Sequence, residues 1–384
     1  MKINIKNKKI IVIVGVLVLV FVIGAVLCFA FTGRNKHYQE EGQEETSTEV
    51  EEVTQPKSTT VYVDNKVDII NVNSKTRPFA VSINNTPVAV QVQTGLNRAY
   101  IVYEIPTEGY TCRLLALYKI EDKEVSMEAD ENLVGSGNVS NSDVIVGTVR
   151  SARHNFLDFC FESDAIFVHF GASTWAEEDE AKTGINWING FYNDEYYWRI
   201  NPESLATEHT AYTSIARLKR AAKEKGFKTE SDNADNTVLL NYNVSDADLS
   251  KKSDAVSCFK VTIPYSDYQY TTFVYDGESG NYLRYANGEA CIDHETKEQC
   301  NTRNIIVQKI THTFMSDNYC WDLKTVGSGE GYYITKGYAV PIKWSKNSRT
   351  EKTVYTYMDG TEIDVSDGRT YIEVSDMGTT VTIE

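Results

Sequence analysis

Arg150 and Arg153 bracket Ser151 and Ala152 at the end of an apolar run, Val144-Ile145-Val146-Gly147-Thr148-Val149. The pattern reads as a strand, a turn and the start of a helix. Free backbone N–H groups at a helix N-terminus favour an anion. Two guanidinium groups in the same turn oppose the dipole, by a few tenths to about 1 kcal/mol. A negative group is therefore expected against them. It is either a ligand phosphate or carboxylate gripped bidentately by arginine, or an internal acid, for which Glu104 and Glu108 are the candidates. A purely structural Arg–Glu network would leave the same trace in sequence.

Glu104, Glu108 and Arg113 fall within Tyr103-Glu-Ile-Pro-Thr-Glu-Gly-Tyr-Thr-Cys-Arg113, and Pro106 and Gly109 place the two acids around a turn. Two carboxylates could serve as acid and base in glycoside hydrolysis if they faced each other about 5–10 Å apart across a cleft. His169 closes an apolar run ahead of Gly171-Ala172-Ser173, and His209 precedes a helix-like segment. Either could act as a base, although a hydrogen-bonded structural role is the commoner explanation of such a histidine. There is no G-x-S-x-G elbow and no S-x-x-K. C-x-x-C, H-E-x-x-H and close histidine pairs are also absent, so no metal site and no cofactor is expected. Gly327-Ser-Gly-Glu-Gly331 lacks the Lys-Ser/Thr of a phosphate loop and reads as a flexible turn between strands. Trp344-Ser345-Lys346 reads as a strand end with an exposed lysine. Cys291 and Cys300 are close enough to close a small loop, but spacing alone leaves pairing open.

Elements that would position these groups follow from periodicity. Phe79–Ile83, Tyr100–Glu104, Arg113–Tyr118 and Ala165–Phe170 read as strands. Ser151–Glu162 has the apolar spacing of a helix with Ser151 as N-cap, and Thr210–Gly226 that of a second helix stopped by its glycine. Residues 74–230 are thus expected to form a mixed α/β domain. From 255 to 384, Tyr-rich and β-branched runs alternate with turn pairs such as Asp276-Gly277 and Asn287-Gly288, the mark of a mostly antiparallel β domain. The last strand is expected within Tyr371–Val374. Polar residues 231–254 are expected to hold the connection. The fold class expected is α+β, preceded by one transmembrane helix.

That helix is Ile10–Gly33, which carries no charged residue and follows Lys2, Lys6, Lys8 and Lys9. It is long enough for a hydrocarbon core of roughly 30 Å. The lysines predict a cytoplasmic tail at 1–9 and everything after Arg34 outside the cell membrane, on a single-pass anchor. Cys28 is a poor lipidation site, because Leu27 precedes it. Residues 34–60 hold seven glutamates and almost nothing apolar, which describes a self-repelling stalk. The net charge is −16. Such acidity argues against a nucleic-acid partner.

Taken together, Arg77-Pro-Phe-Ala-Val-Ser-Ile-Asn-Asn85, Gln93-Thr-Gly-Leu96, Tyr103-Glu104 with Glu108-Gly109, Val149-Arg-Ser-Ala-Arg153 and His169-Phe-Gly171 resemble the YerB-like lipoprotein family of Gram-positive bacteria, a domain of unknown function. Asn304-Ile-Ile-Val-Gln308, Gly327–Gly331 and Trp344-Ser-Lys346 are similar to its C-terminal domain. The resemblance implies a membrane-tethered extracytoplasmic protein and no assigned activity. Departures include Thr148 in place of a proline, Cys112 in place of a threonine, and the lack of a good lipoprotein signal. The reading that results is an envelope protein whose Arg113, Arg150 and Arg153 hold an anionic ligand such as a cell-wall fragment, with Glu104, Glu108 and His169 shaping the pocket. The rivals are a cell-wall hydrolase using Glu104 or Glu108, and an adaptor for an envelope protein partner.

Overall fold

The computed structural model describes residues 67–130, 142–200 and 205–384, all within one compact unit. The expected tail, transmembrane helix and stalk lie outside the described residues. Among those described, no helix is long and apolar enough to cross a membrane.

Strands form where the sequence is apolar on both sides of the pleat. β1 (Phe79–Asn84), β2 (Ile101–Pro106) and β3 (Cys112–Tyr118) are buried along their whole length, as expected of strands covered on both faces. They are followed by β4 (Ile166–His169) and β5 (Trp187–Asn189), then β6 (Val256–Ser257), β7 (Lys260–Pro264), β8 (Tyr270–Asp276), β9 (Asn281–Ala286) and β10 (Asn304–Ile310). A short hairpin comes next, β11 (His312–Phe314) and β12 (Trp321–Leu323). The remaining long strands are β13 (Gly327–Thr335), β14 (Tyr338–Lys346), β15 (Val354–Tyr357) and β16 (Thr370–Asp376). The three longer helices are α1 (His154–Glu162), α2 (Thr174–Thr183) and α3 (Ile215–Glu224).

One eleven-stranded sheet carries the order β6-β14-β13-β10-β16-β2-β3-β1-β4-β5, with β15 against β14. Strands from both expected regions therefore share one sheet. The junction is β16, which runs parallel to β10 on one side and to β2 on the other, in the register Ile101↔Thr370 to Glu104↔Glu373. The six-stranded second sheet contains β7, β8 and β9. It shares one apolar cluster with Val102, Leu114 and α3, while α1 packs in the other cluster with Ile101, Tyr103 and Ile105. Alternate residues of β2 thus feed opposite faces of the sheet.

Each face also carries a buried charge. Glu104 and Arg284 are wholly buried, with Arg284 Nη2 2.9 Å from Glu104 Oε2. Thr271 and Asn85 donate to the same carboxylate. Glu373, beside it in register, is pushed well above the usual carboxylate range by burial and by the charge of Glu104, while Tyr265 donates to its Oε2 at 2.6 Å. The opposite face holds Glu162, which accepts from Tyr103 at 2.7 Å, from Thr353 and from Lys346 Nζ at 2.9 Å.

Several expectations are corrected. Lys346 is buried, not exposed, because Glu162 and the carbonyl of Asp158 replace its water. Gly327–Gly331 is no turn but the start of β13. A Cβ at Gly331 would collide with the Val307 carbonyl, so the glycine allows close strand approach. α1 begins at His154, because Arg150 N bonds Ser82 O and Ala152 N bonds Gly171 O, which holds 150–152 extended. The second helix begins at Ile215, since Ala211–Ser214 pairs as a strand with Ile145–Gly147, and Ser214 is the cap. Residues 231–254 are packed by Val238, Leu239, Leu240 and Leu249. Cys291 and Cys300, whose pairing the spacing leaves open, are free thiols on residues joined by one backbone hydrogen bond, Cys300 N to Cys291 O.

Arg284→Ala should lower unfolding free energy by roughly 3–5 kcal/mol, because it strands the Glu104 charge in the core. Urea titration checks this; a loss below about 1 kcal/mol, as for an exposed pair, would contradict the account.

Candidate functional site

The turn between β2 and β3 carries Glu108 to the start of α1, where the extended residues 150–153 arrive. Glu108 there meets two arginines. Arg113 Nη2 lies 2.5 Å from Glu108 Oε1, Arg153 Nε 2.6 Å from Oε2 and Arg153 Nη2 2.7 Å from Oε1. The Arg153 contact is the bidentate fork that guanidinium geometry favours. Arg113 Nη1 also donates to Ser151 O at 2.6 Å. Burial pushes the Glu108 carboxyl up, but Arg113 and Arg153 outweigh it and hold it below its ordinary value. Arg113 is pulled down by burial and then by the like charge of Arg153.

Arg150 stands beside this triad, its Nη2 3.1 Å from Glu208, whose side chain is 53% exposed. His209 adjoins Glu208 and contacts Asn84. The other two expected residues lie elsewhere. Glu104 is held by Arg284 beneath the second sheet. His169 is wholly buried, with Nδ1 2.8 Å from Gly171 O and Nε2 3.2 Å from Glu180 Oε1. Glu104 and Glu108 do not face each other across a cleft, because the chain between them turns out of the sheet. Among the described residues no group of three metal-ligating side chains comes together.

What sequence reasoning missed is the β11–β12 hairpin, which reaches back from the second half onto this site. Asn155, in the first turn of α1, holds the hairpin's second strand at two points: its Nδ2 donates to Trp321 O at 2.7 Å and its Oδ1 accepts from Leu323 N at 3.2 Å. Trp321 N donates to Thr107 O, its Nε1 to Gly109 O, and Gly109 N to Tyr319 O. Trp175 Nε1 reaches Asp317 in the hairpin loop at 3.0 Å. Phe314 stacks on Trp321 at 3.9 Å. The triad flanks the hairpin on one side. On the other opens a cleft of about 480 Å³ lined by His154, Asp158, Trp175, Asp179, Asp322 and Arg349, among others. His154 and Asn155 directly follow the Val149–Arg153 motif. Their contacts come from residues far away in sequence, so nothing in their spacing marks them.

Asn155→Ala should loosen the hairpin while the sheet stays intact. Hydrogen exchange in 312–323 is expected to quicken by about tenfold or more, the equivalent of one or two lost hydrogen bonds; unchanged exchange there would show that the asparagine does not hold the hairpin. His312, at the hairpin base, is pulled down to about 4 by burial, which nearby Asp376 offsets only in part. The unfolded chain binds that proton near pH 6.5. It therefore holds more protons than the folded chain between the two values, and stability falls as pH drops from about 6.5 to about 4. Replacing His312 by Phe should flatten this part of the stability–pH curve, measured by urea melts across that window. Parallel wild-type and variant curves would refute the assignment.

Residues 67–228 match the N-terminal domain, and residues 261–372 the C-terminal domain, of a family described as "Protein of unknown function (DUF3048)". The chain is 28% identical over 303 residues to "Putative lipoprotein YerB" of Bacillus subtilis (strain 168), covering 78% of this chain and 81% of that protein. The crystal structure of the YerB protein from Bacillus subtilis superposes with a TM-score of 0.65 at 24% identity, over 81% of this chain and 95% of that one, which establishes a shared fold. With both domain matches in order along one chain, this protein belongs to the DUF3048 family.

Proposed function

We propose that this chain is an extracytoplasmic envelope protein, tethered by its apolar N-terminal segment, that binds an anionic envelope ligand at Arg150 and Arg153. One observation carries the reading: three guanidinium groups, at 113, 150 and 153, converge where a single largely enclosed carboxylate, Glu108, is available. The remaining partner, Glu208, is half-exposed. Exposed ion pairs contribute little, so a ligand phosphate or carboxylate can displace Glu208 from Arg150 at small cost. A positive site in an otherwise acidic chain also selects for an anion by steering. The relative's description as a lipoprotein supports placement at the outer face of the membrane. Peptidoglycan fragments and anionic wall polymers are the ligands this chemistry suits.

A second reading, an adaptor for an envelope protein, has one specific support. Tyr110 and Tyr268 are 68% and 74% exposed, pack edge to face at 5.9 Å, and stand beside exposed Tyr319 at the hairpin. Exposed aromatic groupings of this kind are frequent at protein interfaces. The hydrolase reading gains no such support, since Glu104 and Glu108 are separately neutralised by arginine.

Arg150→Ala leaves the Glu108 triad whole and should fold normally. Cosedimentation of the purified full-length protein with cell-wall fragments is expected to weaken by about five- to tenfold in this variant, and to weaken with added salt in the wild type. Equal cosedimentation of variant and wild type would refute the anion-binding reading.

A further inference from the structure

The cleft on the far side of the hairpin has a chemistry different from that of the arginine cluster. Every charged side chain in its lining is already matched by another in the same lining. Arg349 Nε lies 2.5 Å from Asp158 Oδ1, and its Nη1 3.0 Å from Asp179 Oδ1. Lys324 lies 2.6 Å from Asp322, and Lys182 3.4 Å from Glu178. Thr325 donates to the second oxygen of Asp158. An ion entering beside Arg349 would have to break its pairs with Asp158 and Asp179. A cation is disfavoured further because the Arg349 guanidinium already stands between the two aspartates it would need.

The unspent polar group is His154. Both ring nitrogens are buried and neither has a hydrogen-bond partner among the described residues. Such unmet groups in an otherwise satisfied protein call for an explanation. Burial holds this imidazole below its ordinary value against the pull of Asp322, Asp158 and Asp179. It is therefore neutral at neutral pH and offers one donor and one acceptor. Beside it the lining turns apolar with Trp175, Met315, Leu323 and Val326. The Trp175 indole is held in place by its bond to Asp317.

A cavity that offers an aromatic wall, a donor and acceptor on one neutral ring, and no free charge suits a ligand that has an apolar face and hydroxyls but no charge. We propose that this cleft binds an uncharged sugar ring, packed against Trp175 and hydrogen-bonded through its hydroxyls to His154. The volume of about 480 Å³ falls within the range of small-molecule sites and accommodates one or two rings. The assignment is independent of the arginine reading, because it uses no residue of the Arg113–Glu108–Arg153 triad and requires no anion.

The test is titration of the purified full-length protein with two uncharged saccharides, N-acetylglucosamine tetramer and maltotetraose, followed by tryptophan fluorescence and calorimetry. At least one should bind saturably. Trp175→Phe and His154→Phe should each weaken that binding by about tenfold. Circular dichroism and melting of each variant verify its fold, and Trp175→Phe, a partly exposed and conservative change, guards against misfolding. Absence of saturable binding to either saccharide would overturn the proposal, as would binding that Trp175→Phe leaves intact.

Discussion

A carboxylate that leaves water for the interior of a sheet must be given another charge or a proton. β2 presents that demand on both of its faces. On one, Glu104 takes Arg284 from β9. On the other, Tyr103 meets Glu162, which takes Lys346 from β14. In both cases the first half of the chain supplies the acid and the second half the base. Neither half can bury its charged residues alone, and that mutual need explains why strands of both halves complete a single sheet. Glu373 shows what happens without a partner of its own: with Arg284 already committed, burial and the charge of Glu104 push its carboxyl well above the usual carboxylate range, and Tyr265 donates to it.

The same dependence builds the surface where ligands are expected. The Val149–Arg153 segment is kept extended by backbone bonds to β1 and to Gly171, so its arginines reach sideways toward Glu108 and Glu208 instead of lying along a helix. The hairpin then divides the region. On one side positive charge exceeds the acid available to it; on the other, each charge is paired and a neutral imidazole is left over.

How much of this was legible beforehand depended on range. Phe79–Ile83 and Arg113–Tyr118 announced themselves as strands, because continuous apolar and β-branched runs have few other fates. The Tyr-rich second half with its Asp-Gly and Asn-Gly turns was readable as β structure for the same local reasons. The pairing of Glu108 with Arg113 and Arg153 was within reach, since charge near a helix start demands compensation. Helix starts were misplaced where backbone groups bond to distant strands, as at Ala152 and at Ala211–Ser214. Lys346 looked exposed because a lysine's partner cannot be read from its neighbours. His154 and Asn155 were passed over for the same reason: their significance lies in a hairpin contributed by residues 312–323.

The position of β16 has a temporal consequence. This strand links the two halves of the sheet, yet it is made from Thr370–Asp376, long after its partner β2. Parallel pairing across so great a separation closes slowly, because the loop must be gathered before any contact rewards it. A chain delivered from its N-terminus through a secretion channel would therefore emerge with β2 and β10 each lacking a neighbour, and with Glu104 still in water. Such a chain stays pliable throughout export and locks only when its last segment arrives.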